Sequence, residues 1–209
     1  MDIFFSALVI FFVVVDPAGL IPIYIGLVRG FDRHAKQVIA LRSTSVAIAV
    51  IVFFAYFGQL VLDHLSIGIP AFRVSGGALL FWIAFEMLFD RRNERKEKAA
   101  DQARTLQEAH DISVFPLAIP LIAGPGAITS TLLLMARYGT TVLGQVEVLA
   151  GAGAIIGGTA ILFHFADGLS RLLGRTLIQT VSRVLGIVLA ALAAQTMLDG
   201  LTAIWPPSH

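Results

Sequence analysis

The chain has 209 residues, of which 57% are hydrophobic and 14% charged, and its formal net charge at pH 7 is +1. Soluble proteins average about 45–50% apolar and about 25% charged residues, so this composition excludes a soluble enzyme, a nucleic-acid-binding protein and a disordered chain. The sequence has no cysteine, which excludes disulfides, thiolate metal sites and cysteine nucleophiles.

Long apolar runs dominate the chain in order and predict an all-α integral membrane protein with six transmembrane helices. Each run has about the length needed to cross roughly 30 Å of hydrocarbon, and none shows the alternation typical of barrel strands. The first run contains Asp16 and Pro17 and has no basic start, so we interpret it as a retained span rather than a signal peptide. The predicted spans are 3–28, 44–63, 70–89, 114–136, 143–166 and 184–204.

Basic residues are distributed unequally between the loops. Thirteen of the 15 Lys and Arg residues follow spans 1, 3 and 5, whereas Arg73 and Arg137 fall on the other side. The positive-inside rule therefore predicts cytoplasmic basic loops and extracytoplasmic N- and C-termini. The longest polar stretch, residues 90–111, mixes both signs of charge and is expected to be a solvated connector without a site of its own.

The second half of the chain resembles the first. Residues 73–88 and 183–198 agree at seven of sixteen positions at an offset of 110, and Pro17 matches Pro125 at an offset of 108. Because each copy contains three spans, the second must enter the membrane from the opposite side, giving a 3+3 inverted-topology repeat. We predict one membrane domain over 1–209, with repeats at 1–89 and 114–209 joined by a cytoplasmic loop at 90–113. Chance similarity between two apolar helices is the alternative.

Helix breakers interrupt spans 1 and 4 near the predicted bilayer midplane. Pro17 with Gly19, and Pro125 with Gly124 and Gly126, remove helical hydrogen bonds or add backbone freedom. The released amides can attract a carboxylate, and the released carbonyls can bind an ammonium group or a cation. This pattern favours a site for a small zwitterion, although kinks that serve packing alone would give the same pattern.

Asp16 is the first candidate within this site, because a carboxylate in the bilayer costs about 2.5–3.5 kcal/mol on insertion scales. One hypothesis gives Asp16 a role in exchanging a coupling proton or binding Na⁺. The other makes it the N-cap of the helix that starts at Pro17. One residue can do both.

The other polar residues within the spans give weaker signals. Glu86 is expected to extend its carboxylate toward the headgroups. Thr129, Ser130 and Thr131 either line a cavity or bond back to their own helix. No metal-ligand cluster or catalytic motif is apparent in the sequence, so we expect neither an enzyme nor a metal site.

The segments DPAGLIPIY (residues 16–24) and AGPGAIT (residues 123–129), with six spans and basic inner loops, resemble the MarC family (UPF0056) of bacterial inner-membrane proteins. The resemblance covers nearly the whole chain and implies secondary transport of small neutral amino acids such as glycine, alanine or serine. It implies no bound cofactor, and coupling would be to H⁺ or Na⁺. The chain has Leu20-Ile21 where glycine is often seen in this family, which leaves substrate choice open. The substrate-binding residues implied are Asp16, Pro17, Ala18, Gly19, Gly124, Pro125, Gly126 and Thr129.

The leading hypothesis is therefore a secondary active transporter whose midplane site lies between helices 1 and 4. Its expected partners are a small-molecule solute and the lipid bilayer, and no nucleic acid. The alternatives are an exporter of another small metabolite or drug, and a non-transporting membrane scaffold or sensor. The sequence leaves the solute, the direction of transport, the coupling ion and the oligomeric state open.

Overall fold

A computed structural model of the protein describes residues 3–89, 91–92, 95 and 112–205, and within these ranges the regular structure is helical. A segment of π-type turns precedes the fifth α-helix and is called the π segment below. The elements are α1 (Ile3–Val15), α2 (Pro17–Leu27), α3 (Arg33–His64), α4 (Ile69–Leu88), the π segment (Ser113–Ile122), α5 (Pro125–Tyr138), α6 (Val142–His164) and α7 (Ala166–Ile204).

Four of these helices are long and apolar enough to cross a membrane. Two further spans are helix pairs that bend sharply at a short break: α1 with α2 by 41°, and the π segment with α5 by 54°. Counting each bent pair as one span gives up to six. The prediction of an all-α membrane protein is confirmed, and both interruptions fall at the predicted Pro/Gly motifs.

Two helices extend further than the sequence predicted. Helix α3 begins at Arg33, where the Asp32 carboxylate accepts a hydrogen bond of 2.7 Å from the Ala35 amide, so residues 33–42 are helical rather than part of a loop. Its 32 residues span about 48 Å, more than the hydrocarbon thickness requires. Helix α7 starts at Ala166 and has a break at Gly174, where φ is +65°. The last span therefore includes Ser182.

Close approach of α4 and α7 forms one side of the bundle. A Cβ built on Gly77 would lie 2.5 Å from Met197, and one on Gly186 would lie 3.0 Å from Met87. These two contacts run in opposite directions along the helices, so α4 and α7 pack antiparallel. Small residues allow such close backbone approach between membrane helices.

Helix α1 lies inside the bundle rather than on its surface. Phe11 and Val15 have no exposed surface, and Ala7 packs so closely against Gly151 of α6 that a Cβ there would lie 2.7 Å away. The break between α1 and α2 is therefore enclosed by protein. Backbone groups freed at such a break must find partners within the protein, because hydrocarbon supplies none.

Candidate functional site

Asp16 forms the break between α1 and α2. It has a left-handed backbone conformation, with φ of +54°, and its side chain is 1% exposed. Its Oδ1 accepts a hydrogen bond of 3.2 Å from the Gly19 amide, while Pro17 occupies the first helical position. Asp16 is therefore the N-cap of α2, which is one of the two roles that the sequence left open.

Ser182 of α7 is the second partner of this carboxylate. Its hydroxyl lies 3.1 Å from Oδ1 and 3.2 Å from Oδ2 of Asp16, and its side chain is buried. A Cβ at Gly19 would collide with the Asp16 carboxylate, so only glycine fits there. Asp16 thus joins the first broken helix to the last span, a link that no local sequence signal indicated.

Substitution of Asp16 separates its cap role from its charge. We expect Asp16→Ala to lower stability by about 1–2 kcal/mol, because the cap is lost and alanine disfavours a positive φ. Asp16→Asn keeps an acceptor oxygen and tolerates the left-handed conformation, so its loss should be clearly smaller. Melting temperatures of the purified proteins in detergent measure both. An alanine variant as stable as the wild type would contradict the cap.

Arg92 is the residue that the sequence analysis missed. Its side chain is only 7% exposed, its Nη2 donates to the Val14 carbonyl, and its Nη1 lies 3.0 Å from the Met87 sulfur. The solvated connector predicted for residues 90–111 is therefore wrong at this position. A charge run in sequence does not show which of its members the tertiary fold encloses.

This guanidinium also changes the interpretation of the first break. Val14 lies in the last turn of α1, where helical carbonyls lose their partners, and Arg92 satisfies this one. Burial lowers the pKa of Arg92, and the nearby negative charge of Asp16 opposes that shift. Because arginine keeps its proton in proteins, a fixed positive charge lies beside the end of α1.

Glu86 also differs from its prediction. Its side chain is buried rather than extended toward the headgroups. Its Oε1 accepts a hydrogen bond of 3.1 Å from the Trp82 indole, and its Oε2 lies 3.0 Å from Nη2 of Arg95. A cation from beyond the end of α4 pairs with it, and this pairing replaces contact with solvent.

The second break has a different construction. In the π segment Phe115 and Ile119 have non-helical dihedral angles, as expected for residues that precede prolines. Helix α5 then begins at Pro125, and its N-cap residue, Gly124, offers no side-chain hydrogen bond. A Cβ at Gly124 would collide with the Pro120 carbonyl oxygen. This position therefore cannot carry a capping side chain like that of Asp16.

The uncapped start of α5 opens on a cavity of about 240 Å³, called the Arg92 cavity here. The first amides of a helix have no partner within the helix and attract negative charge. The Arg92 and Arg95 guanidiniums add positive charge to the same wall, so the cavity suits a small anionic group such as a carboxylate. Its lining residues are Val14, Ile83, Arg92, Arg95, Pro120, Leu121, Ile122, Gly124, Pro125, Gly126 and Ala127.

A larger cavity of about 390 Å³ lies toward the other ends of α4 and α5 and is called the Arg73 cavity here. Residues near the start of α4 and the end of α5 line it, whereas the Arg92 cavity is lined by residues beyond the end of α4 and at the start of α5. Its lining residues are Ile10, Arg73, Leu80, Ser130, Leu133, Leu134, Arg137, Leu189, Leu192, Gln195, Thr196, Asp199 and Thr202.

The two cavities are separated by about one helical turn. In α4, Leu80 lines the Arg73 cavity and Ile83 the Arg92 cavity, and these positions differ by about 5 Å along the helix axis. A Cβ built on Gly126 would lie 2.7 Å from Ile83 Cδ1 and 2.9 Å from Val14 Cγ1. We call Val14, Leu80, Ile83 and Gly126 the septum.

The predicted substrate residues are therefore distributed between three environments. Gly124, Pro125 and Gly126 line the Arg92 cavity. Thr129 is buried, and its Cγ2 faces Gly76 of α4. The four residues of the first motif form the capped break and do not line the Arg92 or the Arg73 cavity; they are Asp16, Pro17, Ala18 and Gly19.

The hydroxyl residues that follow the second break also differ from one another. The Thr131 hydroxyl bonds back to the Ala127 carbonyl at 2.8 Å, which is the helix-bonding alternative. Ser130 lines the Arg73 cavity, and its hydroxyl has no hydrogen-bond partner in the part of the chain that the structure describes.

The fold and these cavities define a helical membrane protein with two interrupted spans and a cavity on either side of a thin septum. The chain belongs to the MarC family: the model for "MarC family integral membrane protein" matches residues 1–205.

Relatives from both bacteria and archaea align over nearly their whole length. The UPF0056 membrane protein YvbG of Bacillus subtilis is 32% identical over 93% of this chain and 92% of its own. A UPF0056 membrane protein of Archaeoglobus fulgidus is 32% identical over 96% of this chain and 93% of its own. The UPF0056 inner membrane protein YhgN of Escherichia coli is 29% identical over 96% of this chain and 97% of its own. No solved structure matches this chain.

Proposed function

We propose that this protein is a secondary active transporter of small neutral amino acids, with its substrate site beside the second helix break. The carrying observation is the pair of cavities at opposite ends of α4 and α5, separated by the septum at Gly126. A transporter must expose one route to each side of the membrane in turn. A scaffold or sensor needs no such route.

An inverted repeat supplies the movement in this proposal. The antiparallel contacts of Gly77 with Met197 and of Gly186 with Met87 are nearly reciprocal. They relate α4 to α7 in the same register as the sequence repeat, which supports a two-fold relation between residues 1–89 and 114–209. Rocking one repeat against the other would open and close the septum.

The Arg92 cavity supports the choice of substrate class. A carboxylate placed there would accept from the first amides of α5 and lie beside the Arg92 guanidinium. Ligand pockets for drug-sized molecules range over about 300–1,000 Å³, so about 240 Å³ favours a small solute over a bulky drug. H⁺ or Na⁺ is the coupling ion in this proposal, and a bacterial inner membrane with cytoplasmic basic loops is the location.

Ligand-dependent stability tests the function. We expect glycine, alanine, serine or threonine to raise the melting temperature of the purified protein, whereas large or charged amino acids leave it unchanged. Binding stabilises by RT ln(1 + [L]/Kd), about 2.7 kcal/mol at a hundredfold excess over Kd. Repeating the scan with and without Na⁺ and at two pH values identifies the coupling ion. A cooperative melt that no amino acid shifts would contradict the proposal.

A further inference from the structure

We propose that the Arg73 cavity is a second binding site for small amino-acid zwitterions, on the far side of the septum from the Arg92 cavity. This inference rests on the proposed function and extends it, because it assigns the ligand chemistry of the opposite route. Under the predicted topology this cavity faces the extracytoplasmic side, since Arg73 and Arg137 are the two basic residues outside the cytoplasmic loops.

Charged side chains from three different helices converge on this cavity. Arg73 comes from α4, Arg137 from α5 and Asp199 from α7. Within the described part of the chain, neither guanidinium lies within ion-pair distance of Asp199. Unpaired charges near a membrane interior are costly and mark solute pathways, so a ligand that pairs with both signs would compensate them.

The floor of the cavity offers a polar group without a partner. Ser130 is 1% exposed, and its hydroxyl makes no hydrogen bond to the residues that the structure describes. Buried hydroxyls are nearly always satisfied, and an exception calls for an explanation such as a ligand or water. The rest of the floor consists of apolar side chains, among them Leu80, Leu134 and Leu189.

The charge pattern selects a zwitterion that carries its two charges close together. Two cations and one anion give the polar wall a net charge of +1, which favours a carboxylate over an amine alone. The carboxylate would lie between Arg73 and Arg137. The ammonium group would lie against Asp199, whose Oδ1 is already held at 2.7 Å by the Gln195 amide. A small side chain would then face the leucines and Ser130.

The absence of cysteine makes a direct test possible, because an introduced thiol is the only one in the protein. Leu192 lines the cavity, whereas Leu198 lies on the same helix, is exposed, and does not line it. We expect millimolar alanine to slow the reaction of Leu192→Cys with a small methanethiosulfonate reagent several-fold. The matched control, Leu198→Cys, should react at the same rate with and without alanine.

Charge variants in the Leu192→Cys background then identify the contacts. Asp199→Asn should weaken protection by alanine at least about tenfold and leave protection by propionate unchanged, because propionate lacks the amine. Arg73→Gln should weaken protection by both. Protection that ignores both substitutions, in a protein that alanine still stabilises, would overturn this site and leave the transport proposal standing. Failure of alanine to protect or to stabilise would overturn both, whereas propionate protection lost in Arg73→Gln would retain a carboxylate site alone.

Discussion

Replacing Gly126 by valine is expected to abolish transport of labelled alanine in proteoliposomes while the protein still folds and inserts. A Cβ at this position already lies 2.7 Å from Ile83 and 2.9 Å from Val14. The valine methyl groups would wedge the septum and cover the first amides of α5. Overpacking of this kind costs about 1–3 kcal/mol of stability, so the melting temperature should fall while the cooperative melt persists.

A control and a rescue isolate the septum as the cause. Gly157 of α6 has nothing within 4 Å of a built Cβ, so Gly157→Val should transport alanine normally. Gly126→Ala should reduce transport, and adding Ile83→Ala should restore part of it by removing the atom nearest to the new methyl group. Full transport by Gly126→Val would exclude a route through the septum.

Removing the Arg92 side chain is expected to weaken alanine binding at least about tenfold, because a charge-assisted hydrogen bond contributes about 1.5–3 kcal/mol. Arg92→Ala should also destabilise the protein without ligand by about 1–3 kcal/mol, since the buried Val14 carbonyl loses its donor. Melting temperatures with and without alanine separate the two effects. The first is seen in the ligand-dependent shift and the second in the baseline.

The neighbouring arginine provides the matched control. Arg91 is exposed, so Arg91→Ala should leave both the baseline and the alanine-dependent shift unchanged. Arg92→Lys keeps a positive charge but cannot present two forked donors. It should therefore retain part of the binding and lose part of the stability. An Arg92→Ala protein with wild-type affinity for alanine would remove this residue from the substrate site.

Helices and their interruptions were predictable because their causes are local. A run of about 20 apolar residues requires a helix in hydrocarbon, and Pro17 and Pro125 each break a helix through their own missing donors and ring atoms. The cap at Asp16 follows from the same kind of signal, since an aspartate directly before a proline favours a helix start.

The differences between the two breaks are also written partly in the sequence. Position 16 carries a carboxylate that caps the helix that follows, whereas position 124, its counterpart at an offset of 108, carries glycine. Only the structure shows the consequence, because the glycine is enforced by the Pro120 carbonyl and its uncapped helix opens on a cavity. The sequence treated the two motifs as equivalent halves of one site.

The sequence by itself determined the class of protein, the positions of its helices and the two points at which they break, because hydrophobicity, proline and glycine act within a few residues. The tertiary structure decided which polar groups meet. Arg92 lies 78 residues from the Val14 carbonyl that it binds, and Ser182 lies 166 residues from Asp16. Such pairs form because packing leaves a buried acceptor that some donor must satisfy, and no local pattern identifies that donor in advance.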